Sequence, residues 1–410
     1  MSRNTDKTTS EVSLKSGMQK DRDKSSMLEN LDATLASLRV ILDGKHVGTL
    51  AQTEEGVLAF QYTNSWVKTG FSLSPFSLPL ERRVFVAKSH PLDGVFGIFD
   101  DSLPDGWGRL LVDRTLRECG MDPFSIGPLV RLAIVGKSGM GALEYEPDIS
   151  LVPTSVLGDL DEIADACAKM LATDQSDDLD TLFALGGSSG GARPKILTAL
   201  DGEDWIVKFP SSLDSARIGA EEYALTLAAR TCGIETPEVR LLPSKQCSGY
   251  FAIKRFDRVR DQYGSSRKVH MASVGALLET SHRIPNLDYD LLLHLTLKLT
   301  SDMQEVERLY RLMVFNALVG NKDDHAKNFT FMYESIFDAW TLSPAYDLTR
   351  NAGMNGQHAT TINGKGMNVT LDDLKEVGER SGLSSRVVRT VLDEVEDVAR
   401  RVLSELDALL

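Results

Sequence analysis

One short polar run constrains this chain more than any other stretch. Gly320-Asn321-Lys322-Asp323-Asp324-His325-Ala326-Lys327-Asn328 crowds charged and amide side chains between apolar Val319 and Phe329. Upstream, Val306, Leu309, Met313 and Ala317 share one face of a predicted helix from about Met303 to Leu318. Downstream, an apolar strand-like stretch leads to Leu342-Ser343-Pro344-Ala345-Tyr346-Asp347-Leu348. The chain must pass from helix to strand within the polar run. A turn needs Gly320 and at most Asn321, so the other polar residues require a different reason. Asp323 and Asn328 stand in a D-x-x-x-x-N relation, and a hairpin would return Asp347 to the same place.

Composition bounds what that reason can be. A chain of 410 residues is too long for one ordinary core, so two or three domains are expected. Apolar residues make up 42% and charged residues 25%, an ordinary globular balance. The net charge of -14 and pI of about 5.1 oppose direct binding of nucleic acid or anionic membranes. Contact with DNA would need a basic patch or a basic partner. Cys119, Cys167, Cys232 and Cys247 are scattered and form no C-x-x-C pair. That usage fits a reducing cytosol, and the expected location is cytoplasmic. No stretch is long and apolar enough to span a bilayer, and the N-terminus lacks the apolar core of a secretory signal.

Residues 1–30 are polar and aperiodic and read as a disordered tail, with a short helix beginning near Asp32. Residues 31–150 read as an α+β domain. Apolar alternation across Asp43-Gly44 predicts a β-hairpin, with further strands near Leu58–Tyr62, Val84–Ala87 and Ala142–Pro147. FDDSLPDGWGRLLVDRTLRECG predicts a loop, a Pro-Asp-Gly turn and a helix ending at Gly120. The acidic ATDQSDDLD within residues 150–180 reads as a solvated connector. Residues 151–280 then carry a glycine-rich loop, two strands meeting at Asp201-Gly202, and a helix over Ala220–Cys232. Residues 281–410 read as mainly helical, ending in amphipathic helices.

Five features follow one another in the order that phosphoryl transfer requires. That reaction is catalysed mostly by positioning and charge neutralisation. Gly186–Gly191 (GGSSGG), leading to Lys195, would bring backbone N–H groups to an anion through Gly187, Ser188, Ser189 and Gly190. Alone it reads as a flexible turn, since it matches neither Walker A nor G-x-G-x-x-G. Lys208, within Ile206-Val207-Lys208-Phe209 on a predicted strand, would lie across the phosphates. Glu222, on the next predicted helix, would orient Lys208, with Glu221 as a competitor. Asp323 would accept the proton of a substrate hydroxyl, and the amide oxygen of Asn328 would ligate Mg²⁺. Lys327 would stabilise the transferring phosphoryl group. Asp347 would be the second metal ligand, although taken alone it also suits a turn cap.

Two look-alikes fail. Gly136-Lys137-Ser138 resembles the end of a P-loop, but Arg131 stands where the first glycine is needed. His325 beside paired aspartates suggests a metal hydrolase, yet no second histidine lies at ligand spacing.

From about Leu38 to its C-terminus the chain resembles the HipA-like family of bacterial toxin–antitoxin kinases. The resemblance runs through PFSLPL (75–80), GIFDDSLPDGWGR (97–109), VGKSGMGALEY (135–145), GGSSGGARPK, IVKFP, AEEY (220–223), IKRFDR (253–258), GNKDDHAKN and LSPAYDL. The last two are the specific ones. The resemblance implies a small N-terminal domain packed on a protein-kinase-like two-lobed fold. It implies an ATP- and Mg²⁺-dependent serine/threonine protein kinase with Asp323 as base, Asn328 and Asp347 as metal ligands and Lys208 on the phosphates. It implies autophosphorylation in the glycine-rich loop, where Ser188 falls on the modified position and Ser189 is adjacent. A phosphoserine adds about −1.5 to −2 charges, which would repel ATP phosphates. IKRFDR would lie near the adenine-binding hinge, unless Asp257 and Arg258 are structural. The implied partner is a small helix-turn-helix antitoxin, with DNA reached only through it. The implied substrate is a translation protein, notably an aminoacyl-tRNA synthetase. Two other readings compete: a catalytically weak co-repressor that binds the antitoxin, and a small-molecule kinase on the same fold.

Overall fold

Asp43 and Gly44 both have positive φ (48° and 70°), the turn geometry that matches the twist of a two-residue hairpin. They join β1 (Ser37–Leu42) to β2 (Lys45–Gln52). Along β1, Leu38, Val40 and Leu42 are buried while Arg39 is exposed, so the predicted alternation places one face on the core. With β3 (Leu58–Tyr62), β4 (Val84–Val86) and β5 (Glu144–Glu146), these strands form an antiparallel sheet of order β4-β3-β2-β1-β5. The helix Pro128–Val135 packs against β1, β2 and β5.

This computed structural model describes residues 35–149, 159–173, 179–187, 189–260 and 266–408. The expected disordered tail over 1–30 and the expected helix start at Asp32 lie outside the described residues, as does Ser188. Of the acidic connector, 174–178 also lie outside them. On either side of those residues the chain is helical, over Leu160–Ala172 and Leu179–Gly186.

A second antiparallel sheet has the order β6-β7-β9-β8. It comprises β6 (Lys195–Leu200), β7 (Glu203–Lys208), β8 (Val239–Leu242) and β9 (Tyr250–Lys254). Asp201 and Gly202 form the β6–β7 turn, again at positive φ. The helix Ile218–Thr231 packs on β8, β9 and the C-terminal helix Ser385–Ala408. A small sheet, Met271–Ser273, Thr330–Glu334 and Ala339–Leu342, lies in the second half of the chain with the helices Tyr289–Thr300 and Met303–Val319. The molecule is thus mixed α+β. Among the described residues one apolar cluster reaches from Leu38 to Leu406, and a small second one holds Val239, Phe251 and Ile253. Among the described residues, no helix is long and apolar enough to cross a membrane.

IKRFDR is a structural bolt. The buried Asp257 carboxylate takes Arg255 at 2.7 Å and Arg258 at 2.9 Å, and accepts the Gly141 N–H at 2.7 Å. Both arginines also donate to Gly139 O. Burial pushes the Asp257 pKa up, but the two guanidinium groups hold it below the ordinary range. Gly136-Lys137-Ser138 ends a helix instead of starting one: Gly136 caps Pro128–Val135, so no helix N-terminus is aimed at an anion there.

Candidate active site

In an antiparallel hairpin, residues paired across the strands share a face. Lys195 of β6 is paired with Lys208 of β7, so both ammonium groups leave the second sheet on one side. Lys208 Nζ lies 2.6 Å from Glu222 Oε1 and 2.6 Å from Asp347 Oδ1. Burial opposes its charge, but the two carboxylates prevail and raise its pKa. Glu222, only 1% exposed, sits on the inner face of Ile218–Thr231, while Glu221 instead meets Ser215. Burial pushes Glu222 up and Lys208 offsets this in part. Burial likewise works against Asp347, but Lys208 and Lys195 hold its carboxyl well below the usual range. Lys195 is pushed down to about 8 by burial and by Lys208, against the pull of Asp347, Asp105 and Glu222.

The predicted helix before the polar run extends over Met303–Val319 and stops at Gly320, whose left-handed φ of 74° turns the chain. Beyond this cap the adjacent aspartates part. Asp324 is 1% exposed and accepts from Tyr289 Oη (3.0 Å), from the Ala359 N–H (3.0 Å) and from the Thr360 N–H (3.2 Å), with His358 Nδ1 at 2.9 Å. Asp323 is exposed. Partial loss of solvent and the like charges of Asp347 and Asp324 raise its pKa, against the pull of His325 and Arg193. Asn328 ends a short 3₁₀ turn, Ala326–Asn328, and its Nδ2 donates to Asp323 O at 2.6 Å. That leaves the Asn328 amide oxygen as the atom to offer a cation. His325 is a cap: its Nδ1 accepts the Lys327 N–H at 3.2 Å.

The strands Thr330–Glu334 and Ala339–Leu342 form the hairpin that returns Asp347 to this loop. Asp347 has positive φ (57°), which aspartate tolerates better than most residues. Tyr346 Oη donates to Lys327 O, and Asn321 Nδ2 reaches Asp347 O at 3.4 Å. Lys208, Glu222, Asp347 and Asp323 therefore meet in one region, and Asn328 is bonded to Asp323.

The glycine-rich loop lies beside Lys195, whose Nζ donates to Gly190 O. Gly187 N–H donates to Phe183 O at 2.8 Å. Ser189 is buried, and its hydroxyl donates inward to Gly186 O at 2.5 Å. Gly191 has φ of 85°, and a Cβ there would come within 2.6 Å of Lys195 Nζ. Lys327, expected on the phosphoryl group, pairs with Asp100 at 3.1 Å and Asp105 at 3.2 Å. Sequence reasoning missed these two carboxylates, along with Arg193, which lies 3.5 Å from Glu222. Asp105 had one signal, the Pro-Asp-Gly turn, which marks a bend and not a binding partner.

Comparison with known proteins bears on this arrangement. Residues 38–146 match the HipA N-terminal domain, and residues 187–403 match the HipA-like C-terminal domain. The chain belongs to the HipA-like family. Two relatives in Sinorhizobium fredii (strain NBRC 101917 / NGR234) carry the names "Putative kinase Y4mE" and "Putative kinase Y4dM". The first is 25% identical, covering 92% of this chain and 94% of its own. The second is 26% identical, covering 88% and 89%. Among solved structures, HipA of a Shewanella oneidensis MR-1 toxin–antitoxin system, seen with HipB and its operator DNA, superposes with a TM-score of 0.67. It is 18% identical and covers 91% of each chain, so this HipA-like chain shares its fold.

Proposed function

We propose that this HipA-like chain is an ATP-dependent serine/threonine protein kinase acting as the toxin of a toxin–antitoxin module. The observation that carries the reading is Lys208 held between Glu222 and Asp347, beside the loop bearing Asp323 and Asn328. In this reading, residues 31–150 form the N-terminal domain. Residues 151–280 form a lobe with the glycine-rich loop, and 281–410 a helical lobe. The donor set fits Mg²⁺ and ATP: Asp347 and Asn328 offer hard oxygens, and the lack of a side chain at Gly191 lets the loop backbone lie close to the Lys195 ammonium.

Bound magnesium would supply neutralisation of phosphate charge, held by Asp347 and the Asn328 amide oxygen. Glu222 keeps Lys208 charged and aimed at the phosphates. Asp323 takes the proton from the substrate hydroxyl as its oxygen bonds to the γ-phosphorus and the bridge to ADP breaks. Lys327 meets the charge on the transferred group. Of the two loop serines, Ser189 can be modified only after leaving Gly186, so autophosphorylation at Ser189 requires the loop to open. By kinship with HipA seen with HipB and operator DNA, the expected partner is a small helix-turn-helix antitoxin, through which DNA is reached. The acidic chain suits a basic partner, and a translation protein such as an aminoacyl-tRNA synthetase is the expected cytoplasmic substrate.

The test is incubation of the chain with γ-labelled ATP, Mg²⁺ and a cell lysate. Label on a translation protein and on a loop-serine peptide is expected, with none from Asp347→Asn. Equal labelling by that variant, or none by the native chain, contradicts the proposal.

A further inference from the structure

Asp105, the N-cap of the helix Gly106–Glu118, and the first residues of that helix are seated on the glycine-rich loop. Trp107 N–H donates to Gly191 O at 2.9 Å, and its indole Nε1 donates to Lys195 O at 3.1 Å. The fit leaves no room for side chains. A Cβ on Gly106 would lie 2.3 Å from Gly191 O, and one on Gly108 would lie 2.1 Å from Ser189 O. At the tip, the Asp105 carboxylate makes two bonds. One oxygen accepts the Gly191 N–H, and the other pairs with Lys327 Nζ at 3.2 Å. Asp105 thereby ties the glycine-rich loop to the loop that carries Asp323 and Asn328.

We propose that Asp105 is a positioning residue for phosphoryl transfer, fixing the glycine-rich loop through Gly191 and the side chain of Lys327 through its charge. This deepens the kinase reading and rests on it. The two bonds serve different steps. The contact with Gly191 sets how the loop covers the nucleotide, and so bears on KM for ATP. The pair with Lys327 fixes a cation needed as charge moves, and so bears on kcat. Burial opposes ionisation of Asp105, but Lys327 and the Gly191 N–H hold it charged. The N-terminal part of the chain, through the cap of the helix Gly106–Glu118, is in this proposal part of the site's machinery.

Three variants of the full chain separate the roles. Asp105→Asn keeps an oxygen for the Gly191 N–H and removes one of the two carboxylate charges beside Lys327, leaving that of Asp100. It should lower kcat on the order of tenfold and leave KM for ATP within about twofold. Asp105→Ala loses both bonds and should also raise KM on the order of tenfold. Gly108→Ala displaces the loop without touching the carboxylate and should raise KM. Hydrogen exchange at the Gly191 amide gives a readout that needs no catalysis. It should quicken in Asp105→Ala and Gly108→Ala and stay close to the native rate in Asp105→Asn.

Native kcat and KM in both Asp105 variants overturn the proposal, even if exchange quickens. A lower KM or faster turnover in Asp105→Ala also overturns it, since Asp105 would then be a brake. If the native chain transfers no phosphate, the kinase reading fails and the positioning claim falls with it. Exchange then decides only whether Asp105 holds the loop.

Discussion

The loop after Gly320 contains two neighbouring aspartates, and their spacing to Asn328 was the sole guide to choosing between them. Burial separates them: Asp324 is consumed by Tyr289, His358 and two backbone N–H groups, and Asp323 is left facing outward. A similar contrast separates Glu222 from Glu221, which the sequence left open. Lys195 carries a pH dependence. Its pKa near 8 makes it cationic below that value and neutral above it, so its attraction for phosphate fades as pH rises. In the free enzyme, kcat/KM for ATP should therefore fall above about pH 8, since that ratio reports groups of the unliganded site. Lys195→Arg keeps its charge there and should flatten the fall. A pH–rate profile in which this variant falls as the native chain does removes Lys195 from the phosphate site.

At the scale of elements, legibility followed turn chemistry. Asp43-Gly44 and Asp201-Gly202 announced their hairpins, because few residues besides glycine and aspartate accept positive φ. The helix Leu160–Ala172 was missed. Its buried residues Ile163, Cys167 and Met170 keep helical spacing on one face, a legible signal overshadowed by the acidic run that follows it. The cap at Gly320 joins helix to candidate site, since it sets where the loop bearing Asp323 and Asn328 begins. A Cβ at Gly320 meets nothing closer than Arg350 Cγ at 3.9 Å, so Gly320→Ala adds only backbone strain. Left-handed φ costs a side-chain-bearing residue about 1–2 kcal/mol. An unfolding free energy lower by about that amount is expected in urea, together with slower transfer. A variant as stable as the native chain contradicts the cap's role.

Across the whole molecule, the unread part is the part that bridges distant sequence. Asp105 meets Gly191 across a separation of 86 residues, and Asp257 meets Gly141 across 116. Periodicity and local spacing carry no information about such pairs. That Lys208, Glu222 and Asp347 lie together was legible because their order along the chain is the one phosphoryl transfer would need. The Asp257 bolt predicts a global effect. Asp257→Ala leaves two buried guanidinium groups without their carboxylate, a change that costs about 3–5 kcal/mol. Urea unfolding should show that loss, and a midpoint unchanged from native would mean that the bolt is dispensable.

Asp323→Asn tests the central claim most directly, because it keeps the shape of the site and removes only the proton acceptor. In single-turnover transfer from Mg²⁺-ATP, with ATP binding measured beside it, the account predicts undiminished binding and transfer at least about 10²-fold slower. Transfer at the native rate would contradict it.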